Sequence, residues 1–372
     1  MVLAILAVAA ANGRAVFGGS ASLDETGSRL DRTLIAEITQ KSSAPTFSPT
    51  TPLAAIYRSS DDLDLFGVGL DGAVNRARWD GRWHEWSPVF RGKFAQNTPI
   101  AAVSRTANHI DLFAVGLDGA VYSTWLDKHE HEWFRLGQST FPQNTSIAAI
   151  SRKPNSIDLF AVGADGGVYT AWWNEGWQDW SQLGEARFAE HTPITALARE
   201  ANHIDLFAVG RDGGVYTTWW DGSWHDWFRI FETVFAQRTP ITAIARSPDH
   251  IDLFAVGRDG NVNTASWNEG WHDWSRVSER GFAQRTPVAA LARTANHIDL
   301  FAVGLDRGTY SAWWDGEWHE WFRLAERSFE PNAPITAVSP EPNHMDLFAV
   351  GPDGGAYSTW WDNGWRDWFP IE

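Results

Sequence analysis

Residues 192–230 read TPITALARE-ANHIDLFAVG-RDGGVYTTWW-DGSWHDWFRI, and this stretch decides the fold. Two turn signals cut it: Gly210-Arg211-Asp212-Gly213, then Asp221-Gly222. Both carry the Gly/Asp chemistry of tight hairpin turns. Between the turns lie short runs rich in Val, Ile, Phe, Thr, Tyr and Trp, the residue types that suit a pleated, half-buried surface. No helix of useful length fits between punctuation that dense. The spacing predicts an antiparallel four-stranded meander with strands at 193–198, 204–209, 214–220 and 224–230.

The stretch recurs. Thr51, Thr98, Thr145, Thr192, Thr239, Thr286 and Ala333 begin seven copies spaced by 47 residues, with no insertion or deletion, and the copies fill 51–372. A 47-residue period also suits helical repeats, so residue type decides. Gly-x-Asp-Gly returns at Gly69–Gly72, Gly116–Gly119, Gly163–Gly166, Gly210–Gly213 and Gly257–Gly260. The second and third strands are apolar on both faces, so each sheet must pack between two others. Seven such sheets arranged radially form an all-β, seven-bladed β-propeller. Phe47-Ser48-Pro49-Thr50 matches the connector Phe94-Ala95-Gln96-Asn97, so the first copy brings its own lead-in and the repeat phase coincides with the blades.

Composition excludes several functions. Thirty Lys and Arg against 46 Asp and Glu give a net charge of −16, and the pI is near 5.1. Nucleic-acid binding needs a basic face, and so does adhesion to anionic lipid. Cysteine is absent, which removes disulfides, thiol nucleophiles and thiolate metal sites. The 24 tryptophans are explained by the repetition. Residues 1–50 read as a leader and linker, with one short helix expected over 30–38. Val2 to Ala11 has the length of a secretory h-region, with small residues suited to cleavage at Ala9-Ala10-Ala11, but it lacks a basic n-region. Export or an ordinary apolar N-terminus in a cytoplasmic protein both fit. No stretch is long enough for membrane insertion.

In a meander, the turn between strands one and two shares an end with the turn between strands three and four. Two motifs therefore meet on one rim. The first holds His109, His203, His250, His297 and His344. The second is Trp-Trp-Asp-Gly-x-Trp-His, with Trp219, Trp220 and Asp221 in copy four, Trp313, Trp314 and Asp315 in copy six, Trp360 and Trp361 in copy seven, and Trp173 and Trp267 in copies three and five. Indole rings beside Asn, Asp and His suit sugars: an apolar C–H face stacks on the ring while hydroxyls meet fixed polar groups. Weak sites repeated around a ring gain avidity.

Simpler roles compete for several positions. Trp86, Trp133, Trp180, Trp227, Trp274, Trp321 and Trp368 occur in every copy and read as a packing layer. The recurring Asp64, Asp111, Asp158, Asp205, Asp252, Asp299 and Asp346 are expected to bond local backbone at the turn. The Asp71-to-Asp353 series reads as turn chemistry. The histidines fit solvated turn positions as well as ligand contacts. Trp219 and Trp220, as strand neighbours, point to opposite faces, so only one of them serves a given pocket. Copy two, with Trp125-Leu126 and His129-Glu130-His131, has a different turn and a doubtful site. Copies four, six and seven hold the full set.

The Asp-Leu-Phe-Ala-Val-Gly-x-Asp-Gly-x-Val-Tyr run, followed by Trp-Trp-x-x-x-Trp-x-x-Trp, resembles the PLL-like seven-bladed β-propeller lectins over all seven copies. The resemblance implies binding of L-fucose and O-methylated sugars in pockets between adjacent blades, without catalysis or a metal, in secreted and often oligomeric proteins. Tyr169, Tyr216, Tyr310 and Tyr357 match the family's blade pattern and join the candidate sugar residues on that ground. Asn75 and Asn263 depart from it at copies one and five. Six-bladed fucose lectins are similar in logic but differ in blade count.

Two other readings stand beside a lectin. A propeller glycosidase needs a unique acid constellation, whereas nearly every Asp and His here repeats in register. The unrepeated Lys128–His131 cluster shows no third metal ligand beside His129 and His131. A protein-interaction platform predicts one divergent face rather than repeated small sites.

Overall fold

The computed structural model describes residues 44–89, 94–106 and 108–372. Of the leader and linker read over 1–50, residues 1–43, with the apolar segment at 2–11 and the helix expected at 30–38, lie outside the described residues.

Seven four-stranded antiparallel sheets follow one another, each with its strands in chain order and each drawn from one 47-residue copy. In blade 4 the strands are Thr195–Glu200, His203–Val209, Gly214–Trp220 and Phe228–Val234. The third matches the expected bounds, and the first is displaced by two residues. The fourth starts four residues later than expected. Trp224 makes a single bridge to Trp220, and regular pairing resumes only after Trp227 has turned inward. First strands of successive blades touch one another in a ring, with the first strand of blade 7 (Thr336–Glu341) against that of blade 1 (Ala54–Ser59).

Inter-blade packing explains the two-faced apolar strands. In blade 4, Leu206, Phe207, Ala208 and Val209 are all fully buried, because even and odd positions face different neighbours. Leu206 and Ala208 pack toward blade 3, and Phe207 and Val209 toward blade 5. The tryptophan present in every copy is a packing residue. Each sits edge-to-face on the connector phenylalanine ahead of its own blade, as Trp227 does on Phe188 at 5.0 Å and Trp86 on Phe47 at 5.1 Å.

Closure uses the lead-in rather than a shared strand. Phe47 N donates to Gly354 O of blade 7 at 2.8 Å, as Phe94 N does to Gly72 O one seam later. The Gly-x-Asp-Gly turns behave as read. Gly213 has φ of +84°, and a Cβ there would stand 2.5 Å from Phe235 O, so glycine is favoured, although copy six holds Arg307 at the same place with φ of +68°. Asp212 Oδ1 accepts the Gly214 amide at 3.0 Å.

Candidate functional site

At each rim, strand alternation sends the paired tryptophans to different neighbours. The second of the pair turns back toward the preceding blade. Trp220 packs with Trp224 against blade 3, where Trp224 meets Phe160 edge-to-face at 5.6 Å. The same contact recurs as Trp177 on Phe113, Trp271 on Phe207, Trp318 on Phe254, Trp365 on Phe301 and Trp83 on Phe348. The first of the pair faces forward. Trp360 of blade 7 lines a crevice whose opposite wall is Trp79 and Trp83 of blade 1. The unit of a site is therefore the seam between blades, not the copy. Copies four and six hold the full motif, and copy seven keeps its tryptophans but has Arg366 for the histidine; each divides its tryptophans between two crevices.

The aspartates of the second strand are corrected by the structure. They do not bond turn backbone; they hold buried ion pairs. Asp111, Asp158, Asp205, Asp252 and Asp299 each accept two bonds from an arginine on, or in blade 3 just after, the first strand of their own blade: Arg105, Arg152, Arg199, Arg246 and Arg293. Asp64 is shared by Arg58 and Arg76. The guanidinium then crosses the seam. Arg152 lies over the Trp220 ring at 4.4 Å and Arg246 over Trp314 at 4.5 Å. Arg246 Nη1 also donates to Ala295 O of blade 6 at 3.2 Å.

The candidate histidines belong to this network. His203 and His297 accept from Arg199 and Arg293 through Nε2 at 2.5 Å, and His109 and His250 do the same with Arg105 and Arg246. An imidazole accepting from a guanidinium must be neutral there. Burial accordingly lowers the His250 pKa below the usual histidine value. Desolvation likewise raises that of Asp158 despite its arginine.

Asp221 and Asp315 are exposed and bond His225 and His319 at 3.0 and 2.9 Å, which lowers both carboxylate pKa values. Those imidazoles stack on Trp219 and Trp313 at 4.0 and 4.4 Å, covering one ring face. Trp172, absent from the sequence-derived set, has no such cover and is 39% exposed. Its signal was the Gln178 that replaces the histidine in copy three.

The tyrosines stand apart. Tyr169, Tyr216, Tyr310 and Tyr357 donate to Asp165, Asp212, Asp306 and Asp353 of the Gly-x-Asp-Gly turns, at the opposite end of the strands from the tryptophan rim. They do not share a crevice with the histidines. Tyr216 instead borders an open groove of about 800 Å³ with Arg187, Asp226 and Trp227.

The seams are not equal. Between blades 1 and 2, Leu126 and Glu130 replace the indoles, and Glu130 pairs with Arg76 at 3.4 Å. Between blades 7 and 1, a cavity of about 530 Å³ opens, walled by Trp360, Phe369 and His344 on one side and by Tyr57, Trp79 and Trp83 on the other. That volume lies within the range of small-ligand sites. Among the described residues, no three His, Asp or Glu side chains gather to hold a metal, and no helix is long and apolar enough to cross a membrane.

Solved structures provide the comparison. The BP39L lectin of Burkholderia pseudomallei aligns over its whole length with 88% of this chain, at 26% identity and a TM-score of 0.78. This chain has the propeller-lectin fold. The SapL1 lectin, solved with alpha methyl fucoside, covers 78% of this chain with 97% of its own at 20% identity and a TM-score of 0.52. The six-bladed Aleuria aurantia lectin covers 87% with 96% of its own at 17% identity and a TM-score of 0.53. Blade count separates that protein from this one, whereas the BP39L alignment spans the ring. The resemblance read from the repeat is thus met by lectins of propeller fold. No protein-family model matches the chain, and no curated protein sequence is similar to it.

Proposed function

We propose that the protein is a multivalent lectin that binds fucose, or a related neutral or O-methylated sugar, in the crevices between blades. One observation carries this reading: at the seams after blades 2, 4 and 6, strand alternation turns indoles of two blades toward one crevice beside fixed Asp, Arg and His groups. A pyranose stacks its apolar face on such an indole and directs its hydroxyls to the charged rim. The kinship with BP39L and with lectins solved on fucosides supports it. Repetition gives weak sites in parallel, and avidity on a glycan-coated surface follows. The reading includes binding without catalysis, export through the apolar 2–11 segment and self-association into a homo-oligomer.

The test is a glycan array with labelled protein, repeated with free L-fucose as competitor. Binding to fucosylated glycans that fucose abolishes is the expected result. Failure to bind any glycan overturns the lectin reading and moves the protein-platform alternative forward.

A further inference from the structure

We propose that the crevice between blades 7 and 1 receives an organic cation, the ammonium or guanidinium group of a small ligand, in the place where the other blades use their own arginine. This goes beyond the sugar reading and does not depend on it.

The internal repeat supplies the argument. Six copies carry arginine at one position of the repeat, at the end of the first strand: Arg58, Arg105, Arg152, Arg199, Arg246 and Arg293. The seventh carries Pro340. In the seams after blades 3 and 5, that guanidinium sits between a second-strand carboxylate and the indole of the next blade. The seam after blade 7 keeps both partners. Asp346 is the carboxylate and Trp79 the indole, and both line the 530 Å³ cavity together with Pro340. An aromatic face opposite a carboxylate in a crevice is the setting that binds organic cations.

The surrounding residues agree. Asp346 is 15% exposed at its side chain, against 5% to 10% for its counterparts in blades 2–6. Tyr57 stands where every other copy has Ser or Ala, and its hydroxyl donates to Asp346 Oδ2 at 2.5 Å. His344 reaches the same oxygen at 2.9 Å. Among the described residues no donor reaches Oδ1. A phenol supplies a hydrogen bond but no charge, so once His344 is unprotonated the carboxylate is held in position without being neutralised. Asp61, Glu341 and Asp362 also line the cavity, and no Lys or Arg does. His344 is the single base there, and the Asp346 contact raises its pKa. Cation binding therefore strengthens as pH rises and His344 loses its proton.

The experiment is calorimetric titration of the full chain with two cations and their neutral twins. D-glucosamine is compared with N-acetyl-D-glucosamine, and N-acetyl-arginine amide with N-acetyl-citrulline amide. With the guanidinium pair tested above neutral pH and the amino-sugar pair at neutral pH, where the glucosamine amine keeps its proton, at least one cation is expected to bind at one site per chain, at least tenfold more tightly than its twin. The arm that binds identifies the source as an amino sugar or an arginine side chain. Asp346→Asn, an isosteric change, should weaken that binding at least tenfold. The pair Tyr57→Ser with Pro340→Arg rebuilds the sequence of the sister seams and should abolish it. Equal binding of the neutral twins, undiminished binding by either variant, or no cation binding overturns the proposal. Fucose binding by the same wild-type preparation keeps that failure distinct from failure of the lectin reading.

Discussion

Arg246→Ala tests whether the buried arginines tie the blades together. Arg246 donates to Asp252 at 2.6 and 3.1 Å, to His250, and to Ala295 O of the next blade at 3.2 Å, while stacking on Trp314 at 4.5 Å. The Arg246 and Asp252 side chains are 10% and 7% exposed. Removing one partner of a buried pair strands the other charge, which costs about 3–5 kcal/mol. Replacing both partners costs less, so Arg246→Ala with Asp252→Asn should recover most of the loss. Denaturant unfolding followed by fluorescence of the 24 tryptophans reads the change as a shift in midpoint. A single variant within about 1 kcal/mol of wild type, a difference small against the expected cost of a stranded charge, would refute the cross-blade tie. So would a double variant no better than the single one.

Other outcomes follow from the same geometry. Trp219→Ala with Trp220→Ala should remove two sugar sites, in different seams, whereas Trp219→Ala with Trp271→Ala should remove one; calorimetric stoichiometry separates the two results. His344, whose pKa is raised by its bond to Asp346, contributes stability fully present below the ordinary histidine pKa and lost as pH rises through the raised one. A pH titration of thermal unfolding should show this slope, and His344→Gln should flatten it. Gly213→Ala forces a side chain into positive φ and against Phe235 O, and a loss above about 1 kcal/mol is expected in denaturant unfolding. Asp212→Asn weakens the turn bonds to Tyr216 and Gly214, for about 1 kcal/mol by the same assay.

The blades were legible because each copy repeats the same local chemistry. Gly-x-Asp-Gly fixes one hairpin, the paired tryptophans precede the next, and strands without a polar face require neighbours on both sides. The fourth strand was misplaced because Trp224, His225 and Trp227 have strand-forming side chains, yet packing turns them out of register with Thr217 and Thr218. The aspartates were misread for a related reason. Asp205 follows a turn in sequence, but its partner Arg199 is recruited by antiparallel pairing, which spacing alone does not display. Division of Trp219 and Trp220 between two crevices needs the neighbouring blade, which no single copy contains. The uneven seam left a trace after all: Pro340 against six arginines and Tyr57 against Ser and Ala are visible once the copies are aligned.

The Phe47 amide meets Gly354 O, Thr336 Oγ1 reaches Leu53 O at 2.6 Å, and the Trp86 indole N–H donates to Ile371 O at 3.1 Å. Thr195 and Thr242 make the first strand's inter-blade bond at other seams, to Ile241 O and Val288 O. The ring is thus a bracelet whose clasp is built like its links. A circular permutant opened at another connector, such as the one before Thr192, and joined across the present clasp should assemble with the same order of neighbours. Whole links become interchangeable parts: the arginine-free position can be moved around the bracelet by transplanting blade 7 with blade 1, and the crevice between them should travel with the pair.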